Sequence, residues 1–348
     1  MLKINTFLLL LMAPFLSIYI VCFQFVEDAE GMMVNSEVVK SSIMDLSDET
    51  NKLGNTISDL GLLVQSQHDV FIRQSNILDE LAEASSEYTN LSNDIYEQKI
   101  LNMLGAAVAA HKSKNNEIKI FKLDELGYRG FIAKIKLFKS DSFKVTLAKD
   151  KLGETETTSQ AAKRKGAIFA VNGGGFYYED REGKKYARLI GNTVIDGKLV
   201  EPFNGYPGDL FFAGIDEDGE VIGTVPQKEK DITGLNAYQG VSFIPILLKG
   251  GSIVDIPKDW VETKQPRTMI GKYANDDLIF IVIDGRQNDW SSGVTLERLQ
   301  EKLLELGVKE AYNLDGGGSS VMYFNGKVLN KPSDGKERPV ANNIVILP

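Results

Sequence analysis

The chain has 348 residues and a net charge of −9, and its acidic residues are unevenly distributed. Residues 27–111 carry 15 acidic against 4 basic side chains, whereas residues 112–348 carry 33 against 34. Residues 112–348 contain neither histidine nor cysteine, which excludes a Ser–His pair, a cysteine nucleophile and a His-ligated zinc site there. Acid–base chemistry in this part therefore falls to Asp, Glu, Lys or Tyr.

The N-terminal segment Thr6–Val26 has no charged residue and is long enough to cross a bilayer as a helix. Lys3 precedes it and acidic residues follow, so the positive-inside rule predicts a cytoplasmic N-terminus and an extracytoplasmic remainder. A cleaved signal peptide is the alternative, although no small-residue cleavage site is evident. We expect residues 1–26 to be an uncleaved transmembrane anchor.

Residues 27–111 are acidic and poor in glycine, and apolar residues recur at heptad spacing within residues 38–104. This pattern predicts a coiled-coil stalk and makes a homo-oligomer possible. Gln67 and Gln74 interrupt the seam, so a helical hairpin packed on itself or on the globular part is the alternative. The predicted seam consists of Ile43, Leu46, Leu53, Ile57, Leu60, Val64, Phe71, Leu78, Leu81, Tyr88 and Ile95.

Residues 112–348 change to short strands separated by glycine turns, which predicts an α+β domain with a mixed, mostly antiparallel sheet and few helices. Asp196-Gly197, Asp218-Gly219 and Asn325-Gly326 predict hairpins, and residues 158–165 predict a helix. The predicted strands are 117–123, 130–138, 145–149, 167–172, 210–215, 221–225, 243–248, 267–273, 278–283, 311–314 and 340–347.

The two apolar strands 278–283 and 311–314 each end in Asp-Gly, and they are separated by a predicted helix. Thr295 is expected to be the N-cap of that helix, and Gly307 lies just past its end. The resulting strand–helix–strand unit delivers two aspartates to strand ends.

These aspartates, Asp284 and Asp315, are either turn formers before glycine or a pair of catalytic carboxylates. Paired carboxylates are what cleavage at the anomeric carbon of a sugar uses. Gly316, Gly317 and Gly318 follow the second aspartate and offer no side chain to pack. They permit close approach by another molecule, or backbone N–H groups that converge on an anion.

Four motifs, AVNGGGF, QPRTMIG, IDGR and LDGGGSS, occur in this order between Ala170 and Ser320. With them, the chain from Tyr128 to Pro348 resembles the phosphodiester glycosidase family, that of the uncovering enzyme N-acetylglucosamine-1-phosphodiester α-N-acetylglucosaminidase. The resemblance implies a hydrolase in which Asp315 acts at the anomeric carbon and Asp284 is its acid–base partner.

Three arginines, Arg267, Arg286 and Arg338, occupy family motifs, and arginine binds phosphate through two parallel hydrogen bonds. The alternative is surface solubility or ion pairing with the same aspartates. The resemblance also places the segment Ala170–Phe176 beside the pocket, where the Asn172 amide would bond a sugar; a turn-forming asparagine is the alternative. The full set of implied substrate- and phosphate-binding residues is Arg267, Arg286, Arg338, Asn172, Gly173, Gly174, Gly316, Gly317, Gly318 and Ser319.

Together these features predict a membrane-anchored, extracytoplasmic glycosidase that hydrolyses a sugar-1-phosphodiester bond in a cell-surface glycopolymer such as an exopolysaccharide. The alternative is a non-catalytic glycan-binding module on a coiled-coil stalk. The expected partners are a glycan or sugar-phosphate polymer and the membrane. No nucleic acid, metal or cofactor is expected.

Overall fold

A computed structural model describes residues 12–19, 36–205 and 208–348. Contacts divide the chain into two units, Met1–Tyr88 and Thr89–Pro348. Besides the helical residues 12–19, the described α-helices are α1 (Ser36–Leu104), α2 (Thr158–Lys165), α3 (Lys230–Thr233) and α4 (Leu296–Glu305).

The strands of the second unit are mostly short, and every hydrogen-bonded pair described is antiparallel. They are β1 (Ala109–Lys112), β2 (Asn116–Glu125), β3 (Tyr128–Leu137), β4 (Phe143–Leu147), β5 (Phe169–Asn172), β6 (Phe176–Arg181), β7 (Lys184–Leu189), β8 (Val194–Ile195), β9 (Lys198–Leu199), β10 (Phe211–Asp216), β11 (Val221–Thr224), β12 (Ala237–Phe243), β13 (Ile246–Lys249), β14 (Ser252–Ile253), β15 (Arg267–Lys272), β16 (Leu278–Ile283), β17 (Glu310–Leu314), β18 (Met322–Phe324), β19 (Lys327–Val328) and β20 (Asn342–Ile346).

An eight-stranded sheet has the order β1-β2-β3-β16-β15-β17-β13-β14. Two five-stranded sheets have the orders β11-β10-β12-β8-β9 and β19-β18-β5-β20-β4, and β6 pairs with β7. The predicted α+β class with mostly antiparallel sheets and few helices is confirmed. One apolar cluster joins the eight-stranded sheet to the two smaller sheets, and α4 covers the opposite face.

The strand–helix–strand unit positions the site. Strands β16 and β17 both pair antiparallel with β15, so they run parallel to each other and end at the same edge. Helix α4 connects them, and the Thr295 hydroxyl caps it by accepting the Arg298 N–H at 3.2 Å. Leu296, Leu299 and Leu303 are buried against the sheet, as their helical spacing predicts.

Helix α1 is continuous from Ser36 to Leu104, so the first unit contains no hairpin within that range. The apolar residues of the predicted seam in that unit whose exposure is described, such as Leu46 and Leu53, are exposed in the single chain. The last turns belong to the second unit, where Ile100 is wholly buried in the cluster beneath β16 and α4. The contact division at Tyr88/Thr89 therefore falls earlier than the predicted boundary between residues 111 and 112.

The predicted anchor, Thr6–Val26, lies outside the described residues except for residues 12–19, which are helical. Within the described ranges, no helix has both the length and the apolar character that a membrane span needs.

Candidate active site

The candidate site lies at the edge of the eight-stranded sheet where β16 and β17 end and β15 begins. Arg267 pairs with Ile283 and Thr268 with Leu314, so the two aspartates that follow β16 and β17 flank the start of β15. Strands two positions apart are separated by about 10 Å, so both carboxylates reach the same region.

Asp315 is half-buried, and its burial raises its pKa to about 6. Three groups oppose that shift: the Ser319 hydroxyl and the Gly316 N–H, which both bond the carboxylate, and the nearby positive charge of Arg338. A carboxyl group with this pKa exchanges a proton readily near neutral pH, which suits general acid–base catalysis.

The glycines after Asp315 allow two guanidinium groups to lie against the backbone. A Cβ atom on Gly317 would lie 3.1 Å from Arg286 Nη2. A Cβ atom on Gly318 would lie only 2.2 Å from Arg338 Nη2, so a side chain there would displace that arginine. The close approach that the glycine run predicts is therefore made by the chain's own arginines.

The two arginines differ in their partners. Arg338 Nη2 donates to Asp334 Oδ2 at 2.9 Å, and this ion pair lowers the pKa of Asp334. Arg286 Nε donates to the neutral Gln265 Oε1 at 2.8 Å. Both guanidinium groups border the turn after Asp315, and together they form a candidate anion cradle.

Asp284 is buried, and both of its carboxylate oxygens are occupied. Oδ1 accepts the Lys331 N–H at 2.9 Å and Asn330 Nδ2 at 3.1 Å, and Oδ2 accepts Trp290 Nε1 at 2.8 Å. Burial raises its pKa, and these three bonds oppose the rise. These contacts join the end of β16 to the segment leading to Arg338, and the acid–base role of Asp284 stays a prediction.

Asn172 is wholly buried, which corrects its predicted role as a sugar ligand. Its Nδ2 donates to the Asp315 carbonyl oxygen at 2.6 Å. Its Oδ1 accepts the Thr268 hydroxyl at 2.8 Å and the Val321 N–H at 3.2 Å. Asn172 therefore fixes the backbone on both sides of the glycine run.

Gly173 and Gly174 support the same turn. The Gly173 carbonyl accepts the Asp315 N–H at 3.2 Å. Added Cβ atoms would lie 2.0 Å from Asn342 Oδ1 at Gly173 and 2.6 Å from the Ser242 carbonyl oxygen at Gly174. These two glycines are therefore explained by close packing within the chain.

Arg267 is buried, and its guanidinium donates to two backbone carbonyls. Nη2 donates to the Thr263 carbonyl at 2.8 Å and Nε to the Val294 carbonyl at 3.4 Å. Burial lowers its pKa to about 10, and nearby Arg286 adds to that effect. The structure therefore gives Arg267 a role in holding two loops, and its binding of phosphate stays a prediction.

Sequence reasoning did not single out Gln265, Trp290, Asn330, Lys331 or Asp334, all of which contact the predicted residues. Gln265 does lie in the QPRTMIG motif, so that motif was the available signal. In the part of the chain that the structure describes, no group of three or more His, Cys, Asp or Glu side chains is placed to hold a metal ion.

Comparison with known proteins gives consistent findings. The model of the phosphodiester glycosidase family matches residues 165–347. An uncharacterised SPbeta prophage-derived protein of Bacillus subtilis, YomE, is 30% identical over 55% of this chain and 29% of its own length. The bovine N-acetylglucosamine-1-phosphodiester alpha-N-acetylglucosaminidase is 28% identical over 51% of this chain and 35% of its own.

A solved structure of the zebrafish N-acetylglucosamine-1-phosphodiester alpha-N-acetylglucosaminidase catalytic domain, auto-inhibited by its pro-peptide, superposes with a TM-score of 0.55 at 26% identity. The superposition covers 70% of this chain and 87% of that domain. The fold and the site thus define a hydrolase domain of the glycosidase class. The chain belongs to the phosphodiester glycosidase family. It spans about a third of the length of the curated relatives that it matches.

Proposed function

We propose that the chain hydrolyses a sugar-1-phosphodiester bond, such as that of N-acetylglucosamine-1-phosphodiester, in a cell-surface glycopolymer. The observation that carries the proposal is Asp315, whose pKa is about 6 and which lies beside Arg338 at the glycine run. The names of the bovine and zebrafish relatives support this choice of sugar and bond.

In the proposed reaction, Asp315 either removes a proton from a water that attacks the anomeric carbon, or attacks that carbon itself to form a glycosyl ester that a water then hydrolyses. These routes correspond to inverting and retaining glycosidases. The bond between the anomeric carbon and the phosphate oxygen breaks, and its electron pair leaves with the phosphate. Arg286 and Arg338 stabilise the leaving charge, so that a proton donor is less important than for a sugar leaving group. The products are a sugar with a free anomeric hydroxyl and a phosphomonoester.

A glycan-binding module without turnover is the second candidate. It is favoured by Asp284, since both oxygens of this buried carboxylate already accept hydrogen bonds within the chain. The test is incubation with a polymer that contains sugar-1-phosphodiester bonds, followed by measurement of new reducing ends and phosphomonoesters. Release of both supports the hydrolase, whereas binding without release supports the module.

We also propose that residues 1–26 anchor the chain in a membrane, that residues 27–111 form a stalk and that the domain acts outside the cytoplasm. The support is the uncharged segment Thr6–Val26 and the charge asymmetry around it. Membrane fractionation of the full chain tests this proposal. A soluble mature protein that begins between residues 24 and 34 would contradict it.

A further inference from the structure

We propose that Gln265 is a positioning residue that orients Arg286 toward the phosphate of the substrate without neutralising its charge. This inference rests on the proposed function, because it assigns the recognition of the phosphate to a particular pair of side chains. Its basis is the geometry and the charge of the Gln265–Arg286 contact.

Gln265 is held rigidly at its backbone. Its N–H donates to the Val294 carbonyl at 3.2 Å, and its own carbonyl accepts the Val294 N–H at 3.1 Å. The side chain is half-buried, and its Oε1 accepts Arg286 Nε at 2.8 Å. The fixed backbone therefore fixes the place of the Arg286 guanidinium.

Arg286 has a backbone conformation that costs free energy. Its φ is +62°, in the left-handed region that residues other than glycine rarely adopt. Such strain is retained where the surrounding structure fixes it, and it is concentrated at functional sites. Here it places the guanidinium against Gly317, one residue from the Arg338 guanidinium over Gly318.

The charges of the two arginines are balanced differently. Arg338 pairs with the Asp334 carboxylate, whereas Arg286 bonds a neutral amide. Among the described residues, no carboxylate forms an ion pair with Arg286, although its charge also contributes to the lowered pKa of Asp334. The amide bonds Nε only, which leaves the two Nη groups for an anion. A glutamate at position 265 would fit the same space and would neutralise Arg286.

The test compares Gln265→Glu and Gln265→Met with the parent full-length chain. Lys309→Gln is the control, since it removes one exposed positive charge at the start of β17, the end opposite Asp315. Binding of inorganic phosphate is measured by calorimetry. Both KM and kcat are measured with the methyl phosphodiester of N-acetylglucosamine 1-phosphate. Thermal unfolding monitors the fold.

We expect Gln265→Glu to weaken phosphate binding and raise KM by about tenfold, because its carboxylate competes for the guanidinium. Gln265→Met should weaken binding by about threefold through loss of the hydrogen bond. The Glu variant should unfold at the parental temperature or above. If Gln265 had a purely structural role, Gln265→Glu would weaken phosphate binding less than Gln265→Met does, since a carboxylate is the stronger acceptor.

Phosphate binding by Gln265→Glu that equals the parent's, or exceeds that of Gln265→Met, would overturn the inference. A parent that binds no phosphate would overturn it as well. If the parent binds phosphate but releases no sugar from the phosphodiester, the proposed hydrolysis fails, and the phosphate titrations still decide the role of Gln265.

Discussion

Asp315 is held in surroundings that disfavour its ionised form. Burial raises its pKa from 3.8 to about 6 in the folded chain, so folding favours the protonated acid. The stabilisation that this brings is present below about pH 4 and is lost as the pH rises through about 6. Above that pH, the ionised carboxylate lowers the free energy of unfolding, as is common for catalytic groups.

We therefore expect Asp315→Asn to raise the free energy of unfolding at pH 7.5 by about 1–2 kcal/mol, since asparagine stays neutral. The difference from the parent should shrink towards pH 4. Urea unfolding at both pH values measures it. A variant less stable than the parent at pH 7.5 would show that the ionised carboxylate stabilises the fold.

A second prediction at the scale of single residues concerns the stability of an Asp284 variant. In Asp284→Asn the new amide places an N–H group opposite either the Trp290 N–H or the N–H donors of Asn330 and Lys331. The free energy of unfolding should fall by about 1–3 kcal/mol through this unmatched buried contact. Asp289→Asn, an exposed change in the same loop, is the control. A variant of parental stability that has lost all turnover would instead make Asp284 catalytic.

The sequence predicts the site only in part, for a physical reason. Strand ends and glycine runs are local signals, so the position of Asp315 at the end of a strand and the turn after it are predicted correctly. The direction of a side chain depends on strand alternation and on loops distant in sequence. Arg267 lies on the face of β15 that α4 covers, whereas Thr268 lies on the opposite face and bonds Asn172. Gln265 lies in the QPRTMIG motif, but no local pattern marks its contact with Arg286, and none marks Asp334.

Among the elements, the last turns of α1 contribute to the second unit through charge as well as packing. The Lys134 ammonium is buried and lies 2.5 Å from both Glu97 Oε2 and Asp277 Oδ2. Lys119 also pairs with Glu97 at 3.2 Å. Removing one partner of a buried cation leaves part of its desolvation cost uncompensated.

Glu97→Gln should therefore lower the free energy of unfolding of the second unit by about 1–3 kcal/mol. Glu80→Gln, an exposed change on the same helix, is the matched control. Chemical denaturation followed by tryptophan fluorescence reports on this unit, because Trp260 and Trp290 both belong to it. Equal stability of the two variants would contradict a role for Glu97 in holding the helix end.

The exposed seam of α1 gives a prediction for association. A chain of residues 27–348 should sediment as a dimer or larger oligomer, because heptad apolar residues such as Leu46 and Leu53 are exposed in the single chain. Leu46→Asp with Leu53→Asp should shift it towards monomer, whereas Ser47→Asp, which lies off the seam, should not. A strictly monomeric parent would contradict the coiled-coil stalk.

Helices and strands are predicted correctly where the local sequence signals for them are strong. The helix 158–165 and the strand 278–283 match α2 and β16, and the three glycine-containing turns all form hairpins. The predicted strand 243–248 is wrong, because Pro245 has no N–H and separates β12 from β13. The β6–β7 hairpin went unpredicted, since its charged residues give no buried alternating face.

At the scale of the whole molecule, the acidic, glycine-poor segment and the glycine-rich remainder differ as their compositions predict. A long helix accounts for most of the first, and an antiparallel α+β domain of the phosphodiester glycosidase family accounts for the second. The composition change does not mark where contacts divide the chain, because the end of α1 packs into the domain. Side chains near residue 100 thus pack into the domain that carries the candidate site.

The central claim is that Asp315 performs the chemistry of a sugar-1-phosphodiester hydrolase. The direct measurement is the release of sugar from N-acetylglucosamine-1-phosphodiester by the parent and by Asp315→Asn between about pH 4.5 and about pH 8, a range that brackets the Asp315 pKa of about 6. We predict that the parental kcat/KM falls as the pH drops through about 6 and that the variant is slower by about 10²–10⁴. Near-parental turnover by Asp315→Asn would contradict the account.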